Sequence, residues 1–576
     1  MRIFSFSPFG YEGSLVSVEV DLRRGIPAVD VVGLADGTVK ESRERMQAAI
    51  RNSSLDFPLE RVLISLSPAD LKKEGAGFDL PIALGVLCAQ KEKNMEGSKE
   101  GNYPEGMEKI PNPEEDILVM GELELSGRIR PVKAIHAAAS TAASAGIFKC
   151  IVPAANAQEA REVKGMKAFG ADNLTDAFRA LYNPESFSAS SKKYDSMLDE
   201  VENSENINGV LFPKLQNGYE YAEIKGQKKL LRALQIAAAG GHNLLAVGAP
   251  GCGKTLSIQK FPGLLPLLTP EEAQSVTRIL SLAGLLPPSE PLVRTVQFRM
   301  PHQTASIEGI CGGGTSCRPG EISLAHNGVL FLDEAAEFKS SVLQMLRVPI
   351  ENGRITLSRA GRSTVYPAQF QLMMAANPCP CGNNGSKSKI CLCSERSIEQ
   401  YWKKFSSPLL DRIDLRVFVD SENDTENLDE TKPVERKNIN FESALEENQT
   451  EEKCSEKYPS TTDRNDGNYR NKSWSTAEMR QDIARAVLTQ RNRQGKKNSR
   501  LTPEEVSLYC KLSEESQTLL EKAVIRYDLS PRAQAACIKI ARTIADLEGN
   551  PDIEIEHIQE AIDYRKDFSS FMNLKE

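Results

Sequence analysis

Short runs of alternating apolar and polar residues open the chain. Residues 15–21 and 28–33 alternate as strands do, and residues 61–66 form a further strand-like run. Residues 40–52 instead place apolar side chains on one side of a helix and charges on the other. Because strands and helices are mixed in this way, the pattern predicts an N-terminal α+β domain over residues 1–182.

Continuous apolar runs characterise the middle of the chain. Residues 244–247, 329–332 and 370–376 contain no charged side chain, and helical patterns lie between them. Uninterrupted apolar runs are typical of parallel strands that are covered on both faces. We therefore predict a parallel α/β domain over residues 211–420.

Two polar segments divide these regions. Residues 183–210 are rich in Ser, Asp, Glu and Asn and are predicted to be a linker. Residues 421–473 are crowded with polar and charged residues, and they have too little apolar surface to offset the entropy of ordering. We predict a disordered insert there, followed by a helical C-terminal domain over residues 474–576.

Composition narrows the cellular setting. The 576 residues are 40% hydrophobic and 26% charged, which is enough for several globular cores. The chain has no run of about 18 uncharged apolar residues, so no membrane span is expected. The N-terminus is too polar beyond Pro8 for a signal peptide. Twelve cysteines, several in C-x-C pairs, suit a reducing compartment, and we expect a cytoplasmic protein.

The net charge limits the choice of partners. A net charge of −8 and a pI near 5.6 argue against a broadly basic surface for nucleic acid. The same values leave open a small basic channel inside an acidic assembly.

A glycine-rich loop follows the first apolar run of the middle domain. It fits G-x-x-x-x-G-K-[ST] and stands between a strand and a helix, as this phosphate-binding motif requires. Its glycines let backbone N–H groups turn towards phosphates, Lys254 neutralises phosphate charge, and Thr255 offers a hydroxyl to Mg²⁺. A chance glycine-rich turn is the alternative, and the strand–loop–helix context argues against it. The expected binding residues are Gly248, Ala249, Pro250, Gly251, Cys252, Gly253, Lys254 and Thr255.

Two acids end the second apolar run. Asp333 and Glu334 follow residues 329–332, at the strand end where α/β folds place ligands. We expect Asp333 to hold Mg²⁺ through water and Glu334 to polarise the attacking water. Alternatively, both acids cap the next helix, but the phosphate-binding loop in the same chain favours catalysis.

Further motifs resemble AAA+ ATPases of the branch that contains magnesium chelatase and the MCM helicases. Asn377, after the third apolar run, resembles the first sensor residue. S-S-P-L-L-D-R-I-D around Arg412 is similar to the arginine-finger segment, and S-P-R-A around Arg532 to the second sensor. Y-A-E-I-K-G-Q, which contains Ile224 and Gln227, resembles the adenine-side motif.

Within that branch, three motifs match the YifB/ComM family of magnesium-chelatase-like ATPases. They are P-H-Q-T at 301–304, P-G-E-I-S-L-A-H at 319–326 and N-P-C-P-C-G at 377–382. The resemblance implies a Lon-protease-like N-terminal domain, an AAA+ P-loop domain and a helical lid. It also implies ATP and Mg²⁺ as cofactors and a homohexameric ring. Three departures are Gln303, where a His is usual, the long insert at 421–473, and Pro531 inside the second-sensor motif, where it should be the first residue of a helix.

The resemblance assigns Arg412 a role between subunits. An arginine finger brings positive charge to the γ-phosphate of a neighbouring subunit, which requires a closed ring. The alternative is a surface salt bridge with Asp411 or Asp414, and the family resemblance favours the finger.

The N-terminal domain resembles the Lon protease domain at residues 121–132 and 151–156. Lon-type proteolysis needs a Ser nucleophile and a Lys base. Residues 73–79, where the Ser would lie, contain no Ser, and His136 occupies the Lys position. We expect a non-proteolytic domain in which His136 is a structural or interaction residue.

Four cysteines follow the first sensor. Cys379 and Cys381 form one C-x-C pair, and Cys391 and Cys393 form another. Four thiolates can surround Zn²⁺ tetrahedrally, although C-x-C is tighter than the usual spacing. Reduced thiols beside the sensor strand are the alternative, and we favour a structural zinc site.

A hairpin pattern after the two acids bears on the substrate. Residues 354–366 place Arg359 and Arg362 at its tip, and in MCM-like relatives a hairpin here points into the channel of the ring. The arginines could hold DNA phosphates, or they could lie on a solvated turn. A second basic run, residues 491–500, is either a DNA contact or a flexible connector.

Two functions therefore compete. One is a DNA-dependent ATPase that translocates on DNA, as a ComM-like branch-migration helicase in recombination or natural transformation. The other is a chelatase-like, ATP-dependent remodeller of a protein partner. The basic hairpin favours DNA, whereas the acidic net charge and the lack of a recognisable DNA-binding module favour the second function.

Overall fold

The computed structural model contains an N-terminal mixed sheet, a central parallel sheet and a group of C-terminal helices. This mixed α/β architecture with a helical C-terminus confirms the expected fold class at that level. The insert predicted at 421–473 lies outside the described residues. The described residues are 2–33, 37–69, 71, 73, 75–96, 115–189, 203–216, 218–224, 226–359, 362–385, 389–419 and 474–565.

A seven-stranded mixed sheet forms the N-terminal part. Its elements are β1 (Arg2–Ser7), β2 (Ser14–Arg23), β3 (Val29–Val32), α1 (Gly37–Asn52), β4 (Arg61–Ser67), α2 (Asp79–Glu96), β5 (Asp116–Val119), β6 (Glu122–Leu123), β7 (Ile129–Arg130), α3 (Ile135–Ser144), β8 (Lys149–Pro153), α4 (Ala157–Arg161), β9 (Lys167–Ala171) and α5 (Leu174–Ala180). The strand order is β3-β4-β2-β1-β5-β8-β9, and β2 is antiparallel to both of its neighbours. The strands predicted at 15–21, 28–33 and 61–66 are present as β2, β3 and β4, and the helix predicted at 40–52 is present as α1.

A five-stranded parallel sheet organises the central part. Its elements are β10 (Ser204–Ile207), β11 (Val210–Pro213), α6 (Lys228–Gly240), β12 (Leu244–Gly248), α7 (Lys254–Gln259), α8 (Pro270–Ala283), β13 (Phe298–Arg299), α9 (Ile307–Cys311), β14 (Gly312–Gly313), β15 (Arg318–Pro319), α10 (Glu321–Leu324), β16 (Val329–Leu332), α11 (Ser340–Met345), α12 (Arg347–Asn352), β17 (Arg354–Arg359), β18 (Arg362–Pro367), β19 (Gln371–Ala376), α13 (Glu395–Trp402), α14 (Ser407–Leu410) and β20 (Leu415–Val419). The sheet has the order β13-β16-β19-β12-β20, with all neighbours parallel.

Both faces of this sheet are covered. Leu244 and Ala246 of β12 belong to one buried cluster, and Leu245 and Val247 belong to another on the opposite face. Successive side chains of a strand point to opposite faces, so a strand buried on both sides must be apolar throughout. The prediction that the continuous apolar runs are parallel strands is confirmed.

The linker prediction does not hold for the end of its range. Ser204–Ile207 pairs with Val210–Pro213 in an antiparallel hairpin, although residues 190–202 lie outside the described part. Val210 and Phe212 are buried in the core shared with the central sheet. These apolar side chains anchor a segment whose polar composition indicated a linker.

Five helices complete the described chain, and they share a core with one face of the central sheet. They are α15 (Thr476–Gln494), α16 (Pro503–Tyr509), α17 (Glu514–Tyr527), α18 (Pro531–Glu548) and α19 (Ile555–Asp563). Pro531 is the first residue of α18, as expected, and the Ser530 side chain caps the helix. Among the described residues, every helix is too short or too polar to cross a membrane.

The basic run at 491–500 is not a flexible connector. Arg493 makes two hydrogen bonds of 2.7 and 2.8 Å to the carboxylate of Asp546, which is buried in α18. Asn498 is also buried, and it donates to Asp546 at 2.8 Å. That connector prediction is wrong because paired charges and a buried amide fix the run against the helices. The DNA-contact interpretation of the run stays a prediction.

The N-terminal part packs directly on the central part. The Tyr11 backbone N–H donates to Thr364 Oγ1 at 3.1 Å, and the Tyr11 and Tyr366 rings meet edge to face with centroids 5.9 Å apart. Arg278 of α8 donates to the Tyr11 carbonyl at 3.0 Å. The loop between β1 and β2 therefore contacts the strand that follows the predicted hairpin tip.

Candidate nucleotide site

The phosphate-binding loop has the backbone that its glycines permit. Gly251 and Gly253 have φ angles of 82° and 84°, in the left-handed region that side chains disfavour. A β-carbon at Gly253 would lie 2.5 Å from Gln227 Nε2. Lys254 is buried, and its Nζ donates to the carbonyls of Gly248 at 2.7 Å and Ala249 at 2.8 Å. The lysine thus stands within the turn of the loop, as a phosphate ligand must.

Four of the predicted catalytic residues, Lys254, Asp333, Glu334 and Asn377, lie beyond the carboxyl ends of the central strands. The loop follows β12, the two acids follow β16, and Asn377 follows β19, which lies between those strands. Thr255 Oγ1 donates to Asp333 Oδ1 at 3.0 Å. A hydroxyl and a carboxylate are hard oxygen ligands of the kind that Mg²⁺ prefers, so the donor set fits the ion implied by the resemblance.

Glu334 has an unusual backbone. Its φ and ψ are both 47°, a left-handed conformation that is uncommon outside glycine. Its N–H donates to Asp333 Oδ1 at 3.0 Å, and its side chain makes no cap hydrogen bond to the 3₁₀ turn that follows. The structure therefore does not support the alternative that Glu334 caps a helix. Glu334 is exposed and follows the carboxyl end of β16 by two residues.

The adenine-side motif supports the loop from below. Gln227 Nε2 donates to the carbonyl of Cys252, and Ser257 Oγ donates to Gln227 Oε1 at 3.1 Å. Tyr221 donates its hydroxyl to the Ser257 carbonyl at 2.8 Å, and Ile224 packs partly buried against the same core. Gln227 is thus hydrogen-bonded to both the loop and α7, whereas Ile224 packs against the shared core.

Asn377 has a neighbour that the sequence did not indicate. Tyr401 of α13 is buried, which raises the pKa of its hydroxyl to about 12, and the Asn377 backbone N–H donates to it. No spacing signal links these residues, because they come together only when α13 folds back on β19.

The four predicted metal ligands are brought together. The Sγ of Cys379 lies 3.4 Å from that of Cys381 and 3.7 Å from that of Cys391, and the Cys381–Cys391 distance is 3.6 Å. The Sγ atoms of these residues and Cys393 all lie within 4.8 Å of one another. Tetrahedral Zn–S bonds of about 2.3 Å require S···S separations of about 3.8 Å, so the four thiols fit a zinc ion.

This cysteine cluster touches the phosphate-binding loop. Gly382 has a φ of 77°, and its N–H donates to the Cys379 carbonyl at 2.9 Å in a tight turn. A β-carbon at Gly382 would lie 2.5 Å from the ring atoms of Pro250. The turn after Cys381 therefore lies close against Pro250 of the loop, and the cluster begins two residues after Asn377.

The Arg412 backbone lies at the amino ends of the central strands, whereas the phosphate-binding loop lies at their carboxyl ends. Asn243, immediately before β12, donates its side chain to the Arg412 carbonyl at 3.1 Å, and β20 begins three residues after Arg412. Because β12 is five residues long, its amino end and the loop at its carboxyl end are about 13 Å apart. Among the described residues, the two guanidinium groups donate to Glu351 and to the Pro408 carbonyl, and neither shows a hydrogen bond to the loop of its own chain.

Glu351 joins the two arginines. Its Oε1 accepts from Arg532 Nη1 at 2.9 Å, and its Oε2 accepts from Arg412 Nη2. The hydrogen bond from Arg412 is the first cause of a lowered pKa of the Glu351 carboxyl. The alternative interpretation, a salt bridge of Arg412 with Asp411 or Asp414, is wrong because Arg412 pairs with Glu351. Asp411 instead accepts from Ser530 at 2.8 Å, and Asp414 accepts from the Asn243 N–H at 3.2 Å.

His136 of the N-terminal part is an interface residue. Its Nε2 lies 2.9 Å from Oε1 of Gln274 in α8, and burial lowers the pKa of its imidazole to about 4. A neutral buried histidine in a contact between two parts of the chain agrees with the structural or interaction role expected for it.

Comparisons with known proteins agree along the chain. Residues 18–156 match the family model for subunit ChlI of Mg-chelatase, residues 220–427 match that for magnesium chelatase, subunit ChlI, and residues 473–565 match that for the ChlI C-terminal region. The chain is 34% identical to competence protein ComM of Haemophilus influenzae over 98% of this chain and 97% of ComM.

Two further relatives show how far along the chain the similarity extends. The chain is 34% identical to YifB of Escherichia coli, over 96% of this chain and 95% of YifB. The magnesium-chelatase 38 kDa subunit of Acidiphilium rubrum is 25% identical over 28% of this chain and 53% of that subunit. By its near-complete similarity to YifB and ComM, the chain belongs to the YifB/ComM family of magnesium-chelatase-like AAA+ ATPases.

Proposed function

We propose that the protein hydrolyses ATP in a homohexameric ring and uses the energy to translocate on DNA. The main support for a ring is that the nucleotide loop and the Arg412 backbone lie at opposite ends of the central strands. An arginine that stabilises phosphoryl transfer must contact the γ-phosphate, whereas the Arg412 carbonyl lies beside Asn243, five residues before the loop, and Arg532 shares the Glu351 carboxylate with Arg412. A neighbouring subunit supplies a loop that they can reach, and repetition of such a head-to-tail contact closes into a ring.

Each residue of the proposed site then has one task. The loop and Lys254 hold the phosphates of ATP, and Thr255 and Asp333 orient the bound Mg²⁺, which neutralises phosphate charge. Glu334 accepts hydrogen bonds from the attacking water, and Asn377 positions that water or the γ-phosphate. The neighbour's Arg412 and Arg532 offset charge that develops in the transition state.

The hairpin β17–β18 supports DNA as the substrate. Arg359 and Arg362 are cross-strand partners at its tip, and like charges directly opposite each other destabilise a hairpin. A polyanion between them would relieve that repulsion. ComM, one of the relatives that match over nearly their whole length, is named a competence protein. We therefore assign the hairpin to the DNA backbone, within a ComM-like branch-migration helicase.

The DNA assignment has a direct test. In the double variant Arg359→Ala/Arg362→Ala, stimulation of ATP hydrolysis by single-stranded, duplex and branched DNA should be lost. The slope of log affinity against log salt should also fall by about two, one for each phosphate contact. Arg354→Ala, at the base of the same hairpin, is the matched control. Wild-type activity that no DNA stimulates would exclude this substrate.

One observation favours the alternative, a remodeller of a protein partner. The Arg362 guanidinium lies 5.3 Å from the centre of the Phe9 ring, so the N-terminal part engages one of the two hairpin cations. Failure of all three DNA forms to stimulate ATP hydrolysis would make this second function the better one.

We also propose that the four clustered cysteines bind structural zinc. The purified protein should contain about one zinc per chain by elemental analysis, because four thiolates complete a tetrahedral site. Cys381→Ser should lose the metal and lower the temperature of unfolding, since zinc binding contributes to folding. Cys88→Ser, outside the cluster, should leave the metal content unchanged. Equal metal content in the wild type and Cys381→Ser would support reduced thiols instead.

A further inference from the structure

The carboxylate of Glu351 accepts hydrogen bonds from both Arg412 and Arg532. Glu351 belongs to α12, Arg412 to the segment before β20, and Arg532 to the first turn of α18. Ser530 Oγ also donates to Asp411 at 2.8 Å, which fixes the start of α18 to the segment that carries Arg412. Three elements that are distant in sequence thus meet around the Glu351 side chain.

The two guanidinium groups are only partly satisfied. Each guanidinium has five N–H donors. Among the described residues, Arg532 shows one hydrogen bond, to Glu351, and Arg412 adds a bond of 2.6 Å to the Pro408 carbonyl. Arg412 Nε is buried without a partner. Two positive charges against one negative charge leave the cluster with a net positive charge and unused donors, which an anion with several oxygens would fill.

Glu351 itself is half-exposed, with 47% of its side chain accessible. The Arg532–Glu351 pair is exposed on both sides and contributes little stability, so it exchanges readily for a stronger partner, whereas Arg412 has only 14% of its side chain accessible. A phosphate carries more charge than a carboxylate and accepts from arginine in the same forked geometry.

We propose that Arg412 and Arg532 act as one unit on the γ-phosphate of a neighbouring subunit and that Glu351 is its resting counterion, which the phosphate displaces. This role for Glu351 depends on the proposed ring. It makes Glu351 a positioning residue that sets how much ATP is needed before subunits join, because each contact between subunits must first break two ion pairs.

Glu351→Gln tests the proposal, since it keeps the shape of the side chain and removes its charge. Assembly is followed by light scattering while a non-hydrolysable ATP analogue with Mg²⁺ is added to the full chain. The concentration at half-assembly should fall about three- to tenfold, as expected for the loss of two partly exposed ion pairs. Assembly should also become more sensitive to salt, because the unpaired arginines carry one more net positive charge.

Glu399→Gln is the matched control, because it removes an exposed carboxylate that pairs with Lys403. A half-assembly concentration that is unchanged or raised in Glu351→Gln would overturn the proposal, since arginines merely held in place by Glu351 would bind phosphate less well without it. Thermal unfolding checks the fold of the variant. If Glu351→Gln does not fold, Glu351→Asp decides, and it should shift the midpoint in the same direction by a smaller factor.

The two proposals fail differently. Wild-type protein that does not assemble with nucleotide would contradict the ring itself. Wild-type protein that assembles, beside a Glu351→Gln variant with the same midpoint, would contradict only the role of Glu351.

Discussion

Glu334→Gln is expected to bind ATP with Mg²⁺ about as tightly as the wild type and to hydrolyse it at least ~100-fold more slowly, the loss typical of a missing general base. The amide keeps the size of the side chain, and the Thr255–Asp333 contact does not involve it. Binding is measured by titration with a fluorescent ATP analogue, and turnover by phosphate release. Equal turnover in the variant and the wild type would refute the role given to Glu334.

Lys254→Ala provides the contrast for that experiment. Its ammonium lies inside the loop, so removal of the charge should abolish nucleotide binding as well as turnover. The pair of variants separates phosphate binding from catalysis. A Lys254→Ala protein that binds ATP normally would mean that the loop does not hold the phosphates.

Arg412→Ala is the second large effect. We expect hydrolysis to fall by about 10³-fold or more, the range measured for arginine fingers, while ATP binding to the dispersed subunit is unchanged. ATP binding should not change because the Arg412 backbone lies at the amino ends of the strands, opposite the loop of its own chain. Arg396→Ala, an exposed arginine of α13, is the control. A weakened affinity of dispersed subunits would instead place Arg412 at the nucleotide of its own chain.

The sequence predicts those features that depend on neighbouring residues. Continuous apolar runs give the parallel strands, and motif spacing places Thr255 and Asp333 beyond the carboxyl ends of β12 and β16, the two strands that flank β19. The cysteine cluster is predicted for the same reason, since two tight pairs twelve residues apart need only one turn between them. The hairpin at β17–β18 follows from local alternation.

Features that depend on distant packing escape sequence reasoning. Glu351 is 61 residues from Arg412 and 181 from Arg532, and nothing beside it marks it as their partner. The basic run at 491–500 is interpreted from sequence as a DNA contact or a flexible connector, because Asp546, the acid that pairs with Arg493, lies 53 residues away in the sequence. In each case the missing information is which helix packs on which, and charge patterns along the chain do not contain it.

The shared nucleotide site is tested most directly by mixing two inactive variants, Lys254→Ala and Arg412→Ala. Each lacks one half of the proposed site, so a contact in which an intact loop meets an intact arginine exists only in mixed rings. At equal amounts about a quarter of the contacts should be complete, and ATP hydrolysis should return towards that share of wild-type activity. Mixtures that remain as inactive as either variant alone, under conditions where the wild type hydrolyses ATP, would contradict a site built between neighbouring subunits.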